Sequence, residues 1–335
     1  MEILLNIVLL LVGFVLLIKG ADFFVDGAAS LARKMKIPSL VVGLTIVALG
    51  TSSPELAVSI SSSLSGANSM AVSNVIGSNI FNLLIVIGGC ALIAPVGITK
   101  DILKRDYPVS IAAMLIFLVM LLIGSATGGV LDRIEAIILF ALLVGYITWT
   151  VIAALKERKN AEEEKEEKPF IWWKCALFII GGVAAIIFGG DMVVDNASAL
   201  GAAIGMSETL IGLTICAVGT SLPELVTSIS ASRRGETDIA MGNVIGSSIF
   251  NVLGILGISG IITPIDVTLL PDGVSHDMSV LTNTLVDCGV LIGVSILAYI
   301  FCLTTKKVTR AEGVVLVGCY IAYMAYAIIR DVVLV

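Results

Sequence analysis

The sequence predicts an all-α polytopic membrane protein: ten transmembrane helices arranged as two inverted-topology five-helix repeats. Three observations carry this expectation. Of 335 residues, 58% are hydrophobic and 14% charged, with a mean hydropathy of +1.07, more apolar surface than a soluble domain of this size can bury. The apolar residues fall into ten runs, near 3–32, 38–64, 69–95, 107–126, 131–155, 171–200, 207–232, 238–263, 279–304 and 311–330, each suited to the roughly 20 residues that a span needs. Finally, Gly50-Thr51-Ser52-Ser53-Pro54-Glu55 returns 169 residues later as Gly219-Thr220-Ser221-Leu222-Pro223-Glu224.

In chain order, the run Ile3–Ile18 lacks a preceding basic region and a following small-residue cleavage pattern, so it reads as a first helix and not a removable signal peptide. The first and sixth runs are long enough to tilt or to project from the bilayer. With the N-terminus outside, the alternate links carry Arg33, Lys34 and Lys36; Lys100, Lys104 and Arg105; Lys156 to Lys174; Arg233 and Arg234; and Lys306, Lys307 and Arg310. These are 17 of the 20 Lys and Arg residues, leaving Lys19, Arg133 and Arg330. The positive-inside rule then puts both termini outside the cell membrane and the charged run Lys156–Lys168 in the cytoplasm. That run reads as a solvated link, with metal binding by its glutamates as the lesser alternative. Three regions follow: a first repeat at 1–155, a linker at 156–170 and a second repeat at 171–335.

With five spans in each half, the second half enters the membrane from the opposite side. At the constant offset of 169, 15 of 21 positions match between Gly43–Ser63 and Gly212–Ser232, and 8 of 9 between Asn74–Asn82 and Asn243–Asn251. Asp22 and Asp26 fall on Asp191 and Asp195. Packing alone does not require glutamate, proline and asparagine at matched depths. Such a build is usual for alternating-access transporters, with the site at the midplane.

A glutamate at membrane depth is expensive, and a neighbouring proline removes a backbone donor from its helix. Pro54 and Pro223 are expected to unwind the second and seventh spans locally, freeing carbonyls of Ala48 and Thr51 and of Ala217 and Thr220. Such groups survive at membrane depth only when buried in protein or facing a wet cavity. With Thr51, Ser52 and Glu55 they make an all-oxygen ligand set suited to hard cations such as Na+ and Ca2+. In the third and eighth spans, Ser78 and Asn82 share a helix face, as do Ser247 and Asn251, while Gly77 and Gly246 admit a close neighbouring helix. Interhelical hydrogen bonding is the plainer account of these residues. Glu55 and Glu224 together supply −2, enough for one Ca2+ or, with neutral oxygens, several Na+. Left without a cation, two close carboxylates repel and favour uptake of a proton, so an empty site resists reorientation.

The paired GTSSPE/GTSLPE and GSNIFN/GSSIFN motifs resemble those of the cation/calcium antiporter (CaCA) superfamily, most closely the prokaryotic sodium/calcium exchangers, along essentially the whole chain. The resemblance implies the sodium/calcium exchanger fold, and Na+/Ca2+ antiport by alternating access. It implies Glu55 and Glu224 as central ligands, with Thr51, Ser52, Ser78, Asn82, Thr220, Ser221, Ser247 and Asn251 around them and carbonyls from Ala48 and Ala217. Of these, Glu55, Glu224, Thr51 and Thr220 are the ones expected to hold the metal ion. It also implies that the first and sixth spans slide as a gating pair. Asn251 stands where related archaeal exchangers and the potassium-dependent branch often have Asp. That weakens K+ coupling, and the absence of a GNxxE repeat weakens H+ coupling.

The remaining residues carry less. The cysteines Cys90, Cys175, Cys216, Cys288, Cys302 and Cys319 show no metal or redox spacing and read as packing residues. Lys19, Asp22 and Asp26 share a face of the first helix, and interfacial ion pairs are favoured over an ion vestibule. His276 reads as a loop histidine. Trp172, Trp173 and Tyr107 suit the interfacial belts. An intramembrane protease is the rival from another class, but it lacks a membrane histidine or an aspartate pair; a channel is a third reading. The expected partners are Ca2+ and Na+ as substrates and the lipid bilayer. Neither an enzymatic reaction, a cofactor, a nucleic acid nor an obligate protein partner is expected.

Overall fold

The computed structural model describes residues 2–65, 68–126, 130–158, 172–204, 215, 217–268 and 278–333. The described chain is nearly all helix. The first repeat begins with α1 (Glu2–Met35) and a broken second span. The latter comprises α2 (Ser39–Val42), a π-helical turn at Gly43–Val47, α3 (Ala48–Thr51) and α4 (Ser53–Leu64). Next come α5 (Asn68–Phe81), a π turn at Asn82–Val86, α6 (Ile87–Ile93) and β1 (Val96–Gly97). A π turn at Ile102–Asp106 leads into α7 (Tyr107–Ala126), followed by β2 (Val130–Leu131) and α8 (Arg133–Arg158).

The second repeat runs through α9 (Trp172–Ala203), α10 (Ala217–Gly219), α11 (Leu222–Arg233), α12 (Thr237–Ile249), a π turn at Phe250–Ile255 and α13 (Leu256–Ile262). It ends with β3 (Ile265–Asp266), α14 (Met278–Thr305), β4 (Lys307–Val308) and α15 (Arg310–Val333).

Eight of these helical stretches are long and apolar enough to cross a membrane, and the bent pair Ser39–Thr51 and Ser53–Leu64 makes a ninth. Of the run expected at 207–232, residues 207–214 and 216 lie outside the described residues, as do His276, linker residues 159–170 and residue 171. The fourth span starts earlier than expected, at Ile102. Its charged residues read as a link, yet Asp106 is fully buried, held by Arg105 at 2.8 Å and by the Tyr146 hydroxyl of α8 at 3.0 Å. Tyr107 is not an interfacial residue either. It is fully buried, donates to the Ser295 carbonyl at 3.2 Å and packs on Tyr299. Because the chain enters the span a turn early, Tyr107 is drawn between α7 and α14. Trp172 and Trp173 are exposed at the start of α9.

Packing divides the molecule into a pair and a bundle. α1 and α9 run antiparallel against each other, and their glycines set the separation. A Cβ on Gly13 would meet the Gly189 carbonyl at 2.9 Å, and one on Gly20 would meet the Gly182 carbonyl at 2.9 Å. Further along the same contact, the Cys175 thiol donates to the Gly27 carbonyl at 3.3 Å. The remaining spans share a second apolar core through α5, α6, α7, α12 and α14. Two short antiparallel ribbons join the halves of this bundle, β1 with β4 and β2 with β3. They lie at opposite ends of α7.

Candidate functional site

The polar centre is built where the repeated motifs meet. The helix axis bends by 48° between α3 and α4. Ser52, at the junction, leaves helical geometry (φ −83°, ψ 11°), and its counterpart Ser221 does the same (φ −94°, ψ 5°). Each proline occupies the first turn of the following segment, where its missing N–H is no loss. Unwinding frees fewer carbonyls than the sequence suggests. The Ala48 carbonyl still accepts the Ser52 N–H at 3.0 Å and is 3.4 Å from the Thr51 hydroxyl. In the second half the Ser221 N–H turns to the Val218 carbonyl at 3.2 Å, so Ala217 is not its acceptor.

The two glutamates are held across the repeat boundary. Ser52 donates to Glu224 Oε1 at 2.7 Å, and Ser221 donates to Glu55 Oε1 at 3.1 Å. Ser247 adds a bond to Glu224 Oε1 at 3.4 Å, and its counterpart Ser78 is buried on α5, which packs against the helix of Glu55. Both glutamates are fully buried, and in both Oε2 has no hydrogen-bond partner among the described residues. A buried carboxylate oxygen without a donor is rare in folded proteins. Two at mirrored positions define an acceptor-only centre, which suits a cation.

Asn82 and Asn251 each begin or enter a π turn, a geometry often found at functional sites, and both are fully buried. The π turn of Asn82 packs against α11, which carries Glu224, and that of Asn251 packs against α4, which carries Glu55. Thr51 donates to Asn243 Oδ1 at 2.9 Å, whereas the buried Thr220 hydroxyl has no partner among the described residues. The structure thus brings Glu55, Glu224, Ser52, Ser221 and Ser247 into direct contact and sets Ser78, Asn82, Asn251, Thr51 and Thr220 on the flanking elements. Ala48 and Ala217 lie one turn before the breaks. Among the described residues no three His, Cys, Asp or Glu side chains converge as a metal-ligand group, so a cation here would rest on two acids and neutral oxygens.

Sequence reasoning did not assign four residues that hold this frame. Asn74 Nδ2 donates to the Glu55 carbonyl at 3.2 Å and to Ser59 at 3.0 Å; Asn243 Nδ2 donates to the Glu224 carbonyl at 3.4 Å and to Ser228 at 2.9 Å. They tie the main chain of each glutamate to the next span. Their identity in both repeats was the available signal.

Glycine places α1 and α9 against the site. A Cβ on Gly50 would meet Phe24 of α1 at 2.9 Å, and one on Gly219 would overlap Val194 of α9. A Cβ on Gly246 would come within 2.7 Å of the Leu44 carbonyl, in keeping with the expected close approach, while one on Gly77 would have no described residue within 4 Å. The acidic residues of α1 form ion pairs: Arg234 bridges Asp22 at 3.1 Å and also Asp26, Ser230 donates to Asp22 at 2.7 Å, and Arg33 pairs with Glu236 at 3.1 Å.

Fold and site together define a membrane protein with a buried, two-carboxylate, all-oxygen centre shared by two repeats. The sodium/calcium exchanger protein family matches residues 5–152 and 174–329, and the chain belongs to it. The chain is 36% identical over 321 residues to a putative antiporter, CaxA, of Alkalimonas amylolytica, covering 94% of this chain and 96% of that one. It is 33% identical over 354 residues to the sodium/calcium exchanger MaX1 of Methanosarcina acetivorans, covering 95% and 97%. The sodium-calcium exchanger NCX_Mj, solved after soaking with Na+ and Sr2+, is similar at a TM-score of 0.75 with 30% identity, covering 96% of this chain and 99% of that one.

Proposed function

We propose that this chain is a Na+/Ca2+ antiporter working by alternating access, with its ions bound between Glu55 and Glu224. The observation that carries the reading is the mirrored pair of buried Oε2 atoms, each left without a donor while its Oε1 is held by a serine of the other repeat. Two glutamates offer a formal −2, which one Ca2+ neutralises, and Na+ of similar radius competes for the same oxygens. Family membership and the exchanger relatives support these two ions and give no support to a protease.

In this reading the chain forms ten spans as inverted repeats, with residues 156–170 as the link between them. The second, third, seventh and eighth spans supply Thr51, Ser52, Glu55, Ser78, Asn82, Thr220, Ser221, Glu224, Ser247 and Asn251, with the carbonyls of Ala48 and Ala217. The protein lies in the cell membrane with both termini outside and the link in the cytoplasm, following the distribution of Lys and Arg. α1 and α9 slide as the gate, and inward Na+ drives Ca2+ outward. The test is uptake of radiolabelled Ca2+ by Na+-loaded proteoliposomes with the Na+ gradient imposed or collapsed. Uptake should require the outward gradient; uptake indifferent to it refutes Na+ coupling.

A further inference from the structure

The two repeats match at every position of the motif from Asn74 to Asn82 except one, where Asn79 faces Ser248 at the 169-residue offset. That exception lies at the centre of the molecule. Asn79 Nδ2 donates at 3.2 Å to the carbonyl of Ser248, its own repeat counterpart, and Asn251 Nδ2 donates at 3.0 Å to Asn79 Oδ1. All three residues are fully buried.

An asparagine is an ambivalent ligand, because its amide oxygen attracts a cation and its NH2 repels one. Which end faces the site depends on the hydrogen-bond network around it. Here one group removes the ambiguity. The Ser248 carbonyl can only accept, so Asn79 must turn its NH2 toward it and its oxygen toward Asn251. Asn251 must then turn its NH2 toward Asn79, which leaves Oδ1 pointing away, and that atom is buried without a partner among the described residues. The first repeat has no such anchor. Ser248 donates instead to the Val244 carbonyl of its own helix at 2.9 Å, and both amide atoms of Asn82 are buried without partners among the described residues.

We propose that Asn79 is a positioning residue that locks Asn251 oxygen-forward, so that an asparagine serves as a cation ligand there. The inference rests on the ion-site reading of Asn251 given above. It assigns the two flanking asparagines different roles: Asn251 is a fixed oxygen donor, and Asn82 is free to turn.

The test measures half-saturating Ca2+ for Na+-driven uptake in proteoliposomes, using the full chain. Asn79→Ser installs the residue of the other repeat, and Asn79→Leu keeps the shape of the side chain without its polar atoms. Each should raise half-saturating Ca2+ about fivefold to tenfold, the scale of removing one hydrogen bond from a binding site. In an Asn251→Asp background the oxygens at 251 are equivalent and need no orienting, so the same substitutions should shift half-saturation less than about twofold. Unchanged half-saturation in the single variants overturns the proposal. So does an equal shift in both backgrounds, which marks a packing role, or failure of both variants to give monodisperse protein. If the unsubstituted chain takes up Ca2+ without regard to the Na+ gradient, it is the exchange reading that fails.

Discussion

Ser52 and Ser221 each spend their hydroxyl on the glutamate of the opposite repeat, so neither half completes its own carboxylate. Glu55→Gln or Glu224→Gln replaces one anionic oxygen of the pair by an amide, and each should abolish Na+-driven Ca2+ uptake while size-exclusion elution stays monodisperse. Near-normal uptake by either variant would refute the site. Ser52→Ala or Ser221→Ala should act more mildly. Ser221→Ala removes the serine donor from Glu55 Oε1, and Ser52→Ala leaves Glu224 Oε1 only the longer Ser247 bond. Half-saturating Ca2+ should shift by about threefold to tenfold. At Asn251 the substitution to Asp adds a third carboxylate to a centre that has two. Uptake should then fall more steeply on acidification, as protonation removes the added charge, and a pH profile identical to that of the unsubstituted chain would count against it. These acidic and hydroxyl residues were legible in the sequence because a glutamate at membrane depth is too costly to recur in both repeats without a use. Asn79 was not, because its importance lies in being where the repeat fails.

At the scale of elements, the helix break was readable from Pro54 and Pro223, since proline cannot donate in a helix interior. The π turns at Asn82–Val86 and Phe250–Ile255 were not, because a single widened turn leaves the apolar pattern intact. The early start of the fourth span at Ile102 was hidden as well: Arg105 and Asp106 neutralise each other inside the protein, and a sequence shows only two charges beside a link. The spacing of Gly13, Gly20 and Gly27 in α1 with Gly182 and Gly189 in α9 has a mechanical meaning. In the sliding-pair reading, a seven-residue glycine repeat keeps backbone close to backbone at these positions, with side-chain packing such as Phe23 on Phe178 set beside them. Gly20→Leu would set a side chain against the Gly182 carbonyl, 2.9 Å from the first added carbon. Uptake should drop by about tenfold or more, while equilibrium Ca2+ binding to the detergent-solubilised protein stays within about twofold, because α1 supplies no ligand. Equal loss of binding and uptake would show that the pair supports the site and does not merely gate it.

The sequence repeat reaches across the whole molecule, and it was the most legible feature of the sequence, because a constant offset of 169 survives through both motifs. What the offset could not convey is how far the halves are interlocked. Each serine reaches across to the other half's glutamate, each asparagine π turn packs on the other half's motif helix, and both ribbons pair a strand of one repeat with a strand of the other. The ribbons use two residues per strand and give no periodicity, so no sequence pattern announces them. With the repeats so extensively joined, the covalent connection should be dispensable once folding is complete. A protease site inserted among the charged residues 159–168 allows the chain to be cut after purification. The cut protein should elute as one species and retain Na+-driven Ca2+ uptake within about twofold, since the two pieces remain joined by buried apolar surface and shared polar bonds. Separation of the fragments on the column, or loss of uptake on cutting, would show that the link itself holds the halves in register.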